Sequence, residues 1–432
     1  MAILYAVVFV VSLAFSDLTV ARVAGTAGQA VYAIDLINLA AVALTALYVL
    51  TGGFQRLTGA GRCYAVFLGW LLIELLLGVG RYGGSALGEF RYVLPLFWFF
   101  VPLAIEQLRG TASVVEYGTL SLNLVGIAAA AGLVMLAIEI ASGGRYYFSA
   151  ANDVRSGFTD FRGERFLDSY QSFNIAFAGA VALLRTRATR SPRLIPVAVG
   201  LFGAAVWTQN RAALIVVIGG LFLFALAERR FALLAAIAAA TVAAFVLAAI
   251  IAPDLFARIA GSYGSALRPT IDDSGSWRLL IQLSAFEQAM QTPLFGQGYG
   301  GYFRFAFPGA DDVLAPPHNQ FLVLFLKGGA IAVALVVLAL TAYSLVLWRR
   351  RRSAIFSAKE RLMIEGVLLL VITQWAYGFA YDFVVTLGLF LGCGEMLLQR
   401  ASSRELSHSG IMPSVPQGGR EVTQARYPHP SV

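Results

Sequence analysis

Charge is scarce in this chain. Of its 432 residues 13% are charged and 59% are hydrophobic, where a soluble domain carries about twice that charged share. An ordinary soluble protein is thereby excluded, and a polytopic helical membrane protein is implied. Cysteine is sparser still. Cys63 and Cys393 lie in or beside apolar segments without metal-ligand spacing, which argues against a disulfide framework or a zinc site. There is no Gly-Lys-Ser/Thr loop to support nucleotide hydrolysis, and no Ser-His-Asp or Cys-His arrangement suggests itself. The net charge of +8 comes mostly from arginines flanking apolar runs. That pattern fits membrane orientation, and with no RNA or DNA motif it gives no reason to expect a nucleic-acid partner. The run Met1–Phe15 lacks a basic n-region and a cleavage site, so it reads as a first membrane helix.

What the chain does have is apolar runs of spanning length. They fall near 1–18, 30–51, 63–80, 90–107, 117–141, 170–185, 194–209, 211–228, 231–252, 318–347, 361–379 and 383–399. The expected fold is all-α, with about twelve transmembrane helices. The basic clusters Arg185/Arg187/Arg190/Arg193, Arg229/Arg230, Arg349–Arg352 with Lys359 and Arg361, and Arg400/Arg404 then share one side. That side is expected to be the cytoplasm, with both termini inside. A transmembrane domain over 1–400 would be followed by a disordered cytoplasmic tail over 401–432.

Two external segments, 142–169 and 253–317, are too long for simple turns, and long loops are usually functional. Within the second, Ser276–Met290 has apolar residues at Leu279, Leu280, Leu283, Phe286 and Met290. The spacing predicts an amphipathic helix with Ser276 as N-cap, lying on the membrane face or over a cavity and stopped by Pro293. A glycine-rich stretch follows, through Gly296, Gly298, Gly300 and Gly301.

Against the usual bias, arginines also gather on the non-cytoplasmic side: Arg81, Arg91, Arg145, Arg155, Arg162, Arg165, Arg211, Arg258, Arg268, Arg278 and Arg304. Guanidinium groups grip phosphate bidentately, so the cluster points to an anionic, pyrophosphate-bearing ligand. Arg211 occupies a very short turn between apolar segments, where it either faces a partner or snorkels to the interface. Arg278 lies beside Trp277 and reads either as a ligand contact or as a surface charge. His318 is the only histidine outside the tail and sits where the large loop enters a helix. It suits proton abstraction at neutral pH, and it equally suits capping that helix together with Asn319. The glycines of 296–301 could offer N–H groups to a phosphate. The pairs Asp272/Asp273 and Asp311/Asp312 read as solvated loop acids, and no metal site is expected. Asp382 is an acid at an external helix end that either orients a base or is an ordinary interfacial carboxylate.

Three stretches together resemble bacterial O-antigen ligases and the related O-antigen and exopolysaccharide polymerases: Thr208-Gln-Asn-Arg211-Ala-Ala; Trp277-Arg278 followed by Pro293-Leu-Phe-Gly-Gln-Gly-Tyr-Gly; and His318-Asn-Gln-Phe-Leu with Lys327-Gly-Gly. One departure is Lys327, where the family pattern more often has an acid before the glycine. The resemblance implies a GT-C-like membrane glycosyltransferase, inverting and metal-independent, without cofactor. Its donor would be a glycan on undecaprenyl diphosphate and its acceptor, for a ligase, lipid A core, met at the periplasmic face of the bacterial inner membrane among membrane lipids. In that reading His318 is the general base, and Arg211, Arg278 and Arg155 contact the diphosphate. Asn319, Gly298, Tyr299 and Gly300 are candidate sugar or phosphate contacts. A polymerase would share this chemistry. A transporter for lipid-linked glycan or a small anion is the reading from another class.

Overall fold

The computed structural model describes residues 22–24, 31–109, 114–142, 169–208, 210–251, 274–301, 303–307, 310–314, 317–381, 383–384 and 386–408. The expected first helix, residues 143–168 of the first loop, all of 253–273, Tyr302, Asp382 and the tail beyond His408 lie outside the described residues. The chain opens with β1 (Arg22–Ala24) and β2 (Val31–Tyr32), then α1 (Ala33–Leu50), α2 (Gly53–Arg56), α3 (Gly59–Tyr82) and α4 (Ser85–Phe90). A 3-10 helix (Leu94–Phe99) precedes α5 (Phe100–Arg109), α6 (Val114–Ser142), α7 (Ser169–Thr189) and α8 (Leu194–Trp207). There follow α9 (Arg211–Ala227), α10 (Phe231–Ile251), α11 (Ser274–Ala289), β3 (Arg304–Phe307), β4 (Ala310–Leu314), α12 (Gln320–Arg350), α13 (Ala358–Tyr377) and α14 (Thr386–His408).

The molecule is predominantly helical, as expected of an all-α membrane protein. Two antiparallel ribbons are present, β1 with β2 and β3 with β4, the second in the register Arg304↔Leu314 and Phe305↔Val313. Among the described residues α3 and α12 are long and apolar enough to cross a membrane, and six further apolar helices are shorter. The expected span 90–107 is divided: Pro95 lies within the 3-10 turn, and α5 follows separately. The last helix also outruns its apolar sequence, continuing past Arg400 to His408, so part of the expected tail is helical.

Local sequence explains the helix starts. Thr58 caps α3 by accepting from Gly61 N at 3.2 Å, and Ser357 with Glu360 forms a capping box on α13. Thr58 is itself held from α14, where the buried Glu395 accepts from Thr58 N at 2.6 Å and Oγ1 at 2.7 Å. Helices α3 and α12 pack through buried Tyr64, Phe67, Val336 and Tyr343, while nearly every residue of α13 after its first turn is covered.

Helix α12 is broken at Gly329, whose φ of 66° and ψ of −168° no helix permits. A side chain there would strike Leu294 O, and the left-handed backbone favours glycine. The break strands backbone groups that a membrane interior cannot leave unpaired. Residues 293–298 fill them. Gln297 N donates to Leu326 O at 2.9 Å and Gly298 N to Lys327 O at 2.9 Å; in the other direction Ala330 N donates to Pro293 O at 2.8 Å. Trp70 Nε1 covers Gly328 O at 3.0 Å. The glycine-rich stretch is therefore a plug docked into a broken helix.

Candidate functional site

His318 immediately precedes the cap of α12. Its φ is 49°, a region that non-glycine residues occupy rarely and at a cost of roughly 1–3 kcal/mol unless the surroundings impose it. The surroundings here do. Asn319 Oδ1 caps the helix by accepting from Leu322 N at 3.1 Å. Gln320 N donates to Gly378 O at 2.7 Å and Tyr381 O at 3.2 Å, and Phe383 N returns a bond to Gln320 Oε1 at 3.3 Å. Phe321 packs among Trp375, Phe379 and Phe383 at 6.0, 4.7 and 5.5 Å between ring centroids. The imidazole stays half-buried, edge-on to Tyr381 at 6.1 Å.

From Asn319 an open apolar groove of about 440 Å³ runs along α12 to Val337, lined by Phe321, Phe325, Ala330, Ala334 and Phe379.

The other expected site residues fall as follows. Arg211 is the first residue of α9, whose cap is Asn210 accepting from Ala213 N at 3.2 Å. Gly220 abuts Thr373 in α13, while Glu228, just past the other end of α9, meets the end of α12. Helix α9 thus runs antiparallel to α13, and Arg211 starts it at the end of the bundle where residues 378–384 pack on the start of α12. Arg278 lies in α11, which begins at Ser274, so the expected cap Ser276 is inside the helix. Helix α11 packs through Ile281, Ala285 and Ala289 against Leu322 and Leu326, with Phe286 5.9 Å from Phe325. Its far end leads into the plug beside Leu326 and Lys327, so its start points to the same end as His318. The structure therefore brings the backbones of Arg211, Arg278 and His318 to one end of the bundle. Arg155 lies outside the described residues.

The amphipathic helix turns the stripe singled out by spacing outward: Leu279, Leu280, Leu283, Phe286 and Met290 are each about half exposed. This suits contact with a membrane surface.

Gly298, Tyr299 and Gly300 are differently employed. The amide of Gly298 is bonded to Lys327 O and that of Gly300 donates to Glu89 Oε2 at 2.5 Å. Neither is turned toward a phosphate, so the cradle expected of these glycines is replaced by an anchoring role. Gly300, at φ 99°, lets the turn press onto Tyr82 and Ala86. Tyr299 is 1% exposed, and burial beside Glu89 and Glu74 pushes its phenol well above the ordinary range.

Two residues escaped the sequence reading. Asn210 is 2% exposed, and its Nδ2 has no hydrogen-bond partner among the described residues; its place beside Arg211 in a short turn was the available signal. Glu89 had no signal, because its partner Lys327 lies far along the chain. Among the described residues no cluster of His, Cys, Asp and Glu could hold a metal ion.

The fold is that of a helical protein with apolar helices of membrane-like character. Residues 196–337, about a third of the chain, match the family model described as O-antigen ligase, a likeness that supports the O-antigen ligase and polymerase superfamily. The matched stretch contains Arg211, Arg278, the plug and His318. No curated protein matches the chain.

Proposed function

We propose that the chain is an O-antigen ligase. It transfers a glycan from undecaprenyl diphosphate to a sugar hydroxyl of lipid A core, at the periplasmic face of the bacterial inner membrane, in a GT-C-like scaffold with both termini cytoplasmic. The observation that carries the reading is His318, held in the left-handed region at the start of α12 and at the head of an apolar groove. A lipid-borne donor lays its chain along the membrane and its diphosphate at the boundary, where the groove meets Asn319.

The chemistry assigns a role to each side chain. The acceptor hydroxyl attacks the anomeric carbon as His318 removes its proton. The new carbon–oxygen bond forms while the bond to phosphate breaks, and the lipid diphosphate leaves with the electron pair. Arg211 and Arg278, with Arg155 from the first loop, meet the charge that develops on the leaving group. Asn319 and the turn through Gly298, Tyr299 and Gly300 hold the start of α12 and the plug around that place. A transporter reading receives less support, since the carbonyls freed by the break in α12 are bonded to the plug and to Trp70 rather than turned toward an ion path.

The test is transfer by purified protein with undecaprenyl-diphosphate-linked glycan and lipid A core in excess EDTA. Glycan appearing on the core supports the ligase. Lengthening of the donor glycan without core replaces it with the polymerase. Donor binding with no transfer of either kind replaces it with the transporter.

A further inference from the structure

The opposite end of the bundle is basic beyond what its own acids neutralise. Helix α12, 31 residues long, runs from the end that holds His318 to this one. Two buried carboxylates organise it. Glu228 accepts from Arg351 Nε at 2.6 Å, Arg352 Nη2 at 2.9 Å and Arg230 Nη2 at 2.9 Å. Glu365 accepts from Arg187 Nη1 at 2.8 Å and lies 3.7 Å from Arg230 Nη2. Four guanidinium groups thus face two carboxylates, leaving an excess of two positive charges within the network itself.

Around it Arg190, Arg193, Arg229 and Arg349 are exposed, and among the described residues no ion pair joins them to an acid. Two of these arginines lie in helix-to-helix turns in the left-handed region, Arg190 at φ 52° and Arg229 at φ 53°. Glycine or asparagine would occupy those positions at less cost, so arginine there sacrifices backbone comfort for outward charge. Directly beside the arginines, Val197, Leu226 and Phe231 are 49%, 49% and 71% exposed. Guanidinium groups above an apolar rim match the boundary between headgroup and acyl chain, whereas a nucleic acid or an acidic peptide would offer the rim nothing to cover it.

We propose that this end is a docking surface for anionic phospholipid headgroups, with Arg190, Arg193, Arg229, Arg349 and Arg352 as the phosphate contacts.

The experiment equilibrates the full-length protein with equal amounts of phosphatidylglycerol and phosphatidylcholine and reads the retained lipids by native mass spectrometry. The wild type is expected to retain phosphatidylglycerol preferentially, and Arg190→Asn with Arg229→Asn to lower that preference roughly ten-fold or more. Asparagine tolerates both turns, so the fold is kept and thermal unfolding checks it. Should that variant unfold, Arg349→Gln with Arg352→Gln gives the same readout without touching a turn. Equal retention of the two lipids by wild type, or an unchanged preference in the folded variants, overturns the proposal. So does displacement of phosphatidylglycerol by millimolar inorganic phosphate, which would make a free anion the ligand.

Discussion

Lys327 Nζ lies 2.7 Å from Glu89 Oε1, with the lysine 3% exposed. The same ammonium donates to Gly301 O at 2.6 Å, and the same carboxylate takes the amide of Gly300 at 2.5 Å. One ion pair therefore clasps the chain at Gly300 and Gly301, where it leaves the plug. A lysine where an acid is more usual in the related pattern is compensated by an acid in α4.

Breaking that pair from one side strands a buried charge, at a cost of about 3–5 kcal/mol. Lys327→Met and Glu89→Gln are each expected to lower the unfolding temperature markedly, and the double variant to recover much of the loss. Thermal unfolding in detergent measures the coupling; additive losses would mean that the two groups do not act as a pair.

Gly329→Ala places a methyl group against Leu294 O and forces alanine to positive φ. The plug is expected to undock, with loss of stability and faster hydrogen exchange at Gln297 and Gly298, whose amides bond to α12. Unchanged exchange there would show that the plug is held by other contacts.

Lysine keeps the charge of arginine but not its planar bidentate grip. In the proposed mechanism Arg278→Lys and Arg211→Lys are each expected to slow transfer about 100-fold or more, with unfolding temperatures near that of the wild type. Initial rates against donor concentration check this, and wild-type rates would remove those arginines from the diphosphate.

Acid should weaken the basic end. Burial pushes the Glu228 carboxyl up, but the bonds from Arg352 and Arg351 outweigh it, and its pKa lies below the ordinary value. A depressed folded pKa gives stability that is complete above the unfolded carboxylate value, near 4.3, and is lost as pH falls through the folded one. Unfolding temperature against pH should therefore fall on the acid side of that value, less steeply in Glu228→Gln, which is also less stable at neutral pH. Parallel curves for the two proteins would contradict the assignment.

Much of this was legible in the sequence, and the rest has physical reasons for being hidden. Apolar runs located α3, α9, α10, α12 and α13 to within a few residues, because burial in an apolar medium is written in composition. The order of Arg211, Arg278 and His318 could be read, since each sits at or near a helix start that topology gathers at one end. The docking of 293–298 into α12 could not, because the positive φ of Gly329 is set by a partner some thirty residues upstream in a chain where glycine is common. The glycine turn looked like a phosphate cradle because its amides cannot be followed to Lys327 O and Glu89 without coordinates. The stripe on α11 faces outward because periodicity gives a face and not its direction; Ile281 and two alanines make the inner contact instead.

The central claim is that His318 takes the acceptor's proton. The most direct measurement is single-turnover transfer by His318→Gly, with binding of the lipid-linked donor measured on the same preparation. Glycine relieves the left-handed backbone at that position, so the variant should be at least as stable as the wild type and should bind donor normally. The account predicts that transfer falls about 100-fold or more, within the range that a positioned general base contributes. Transfer at the wild-type rate, with the donor bound, would contradict it.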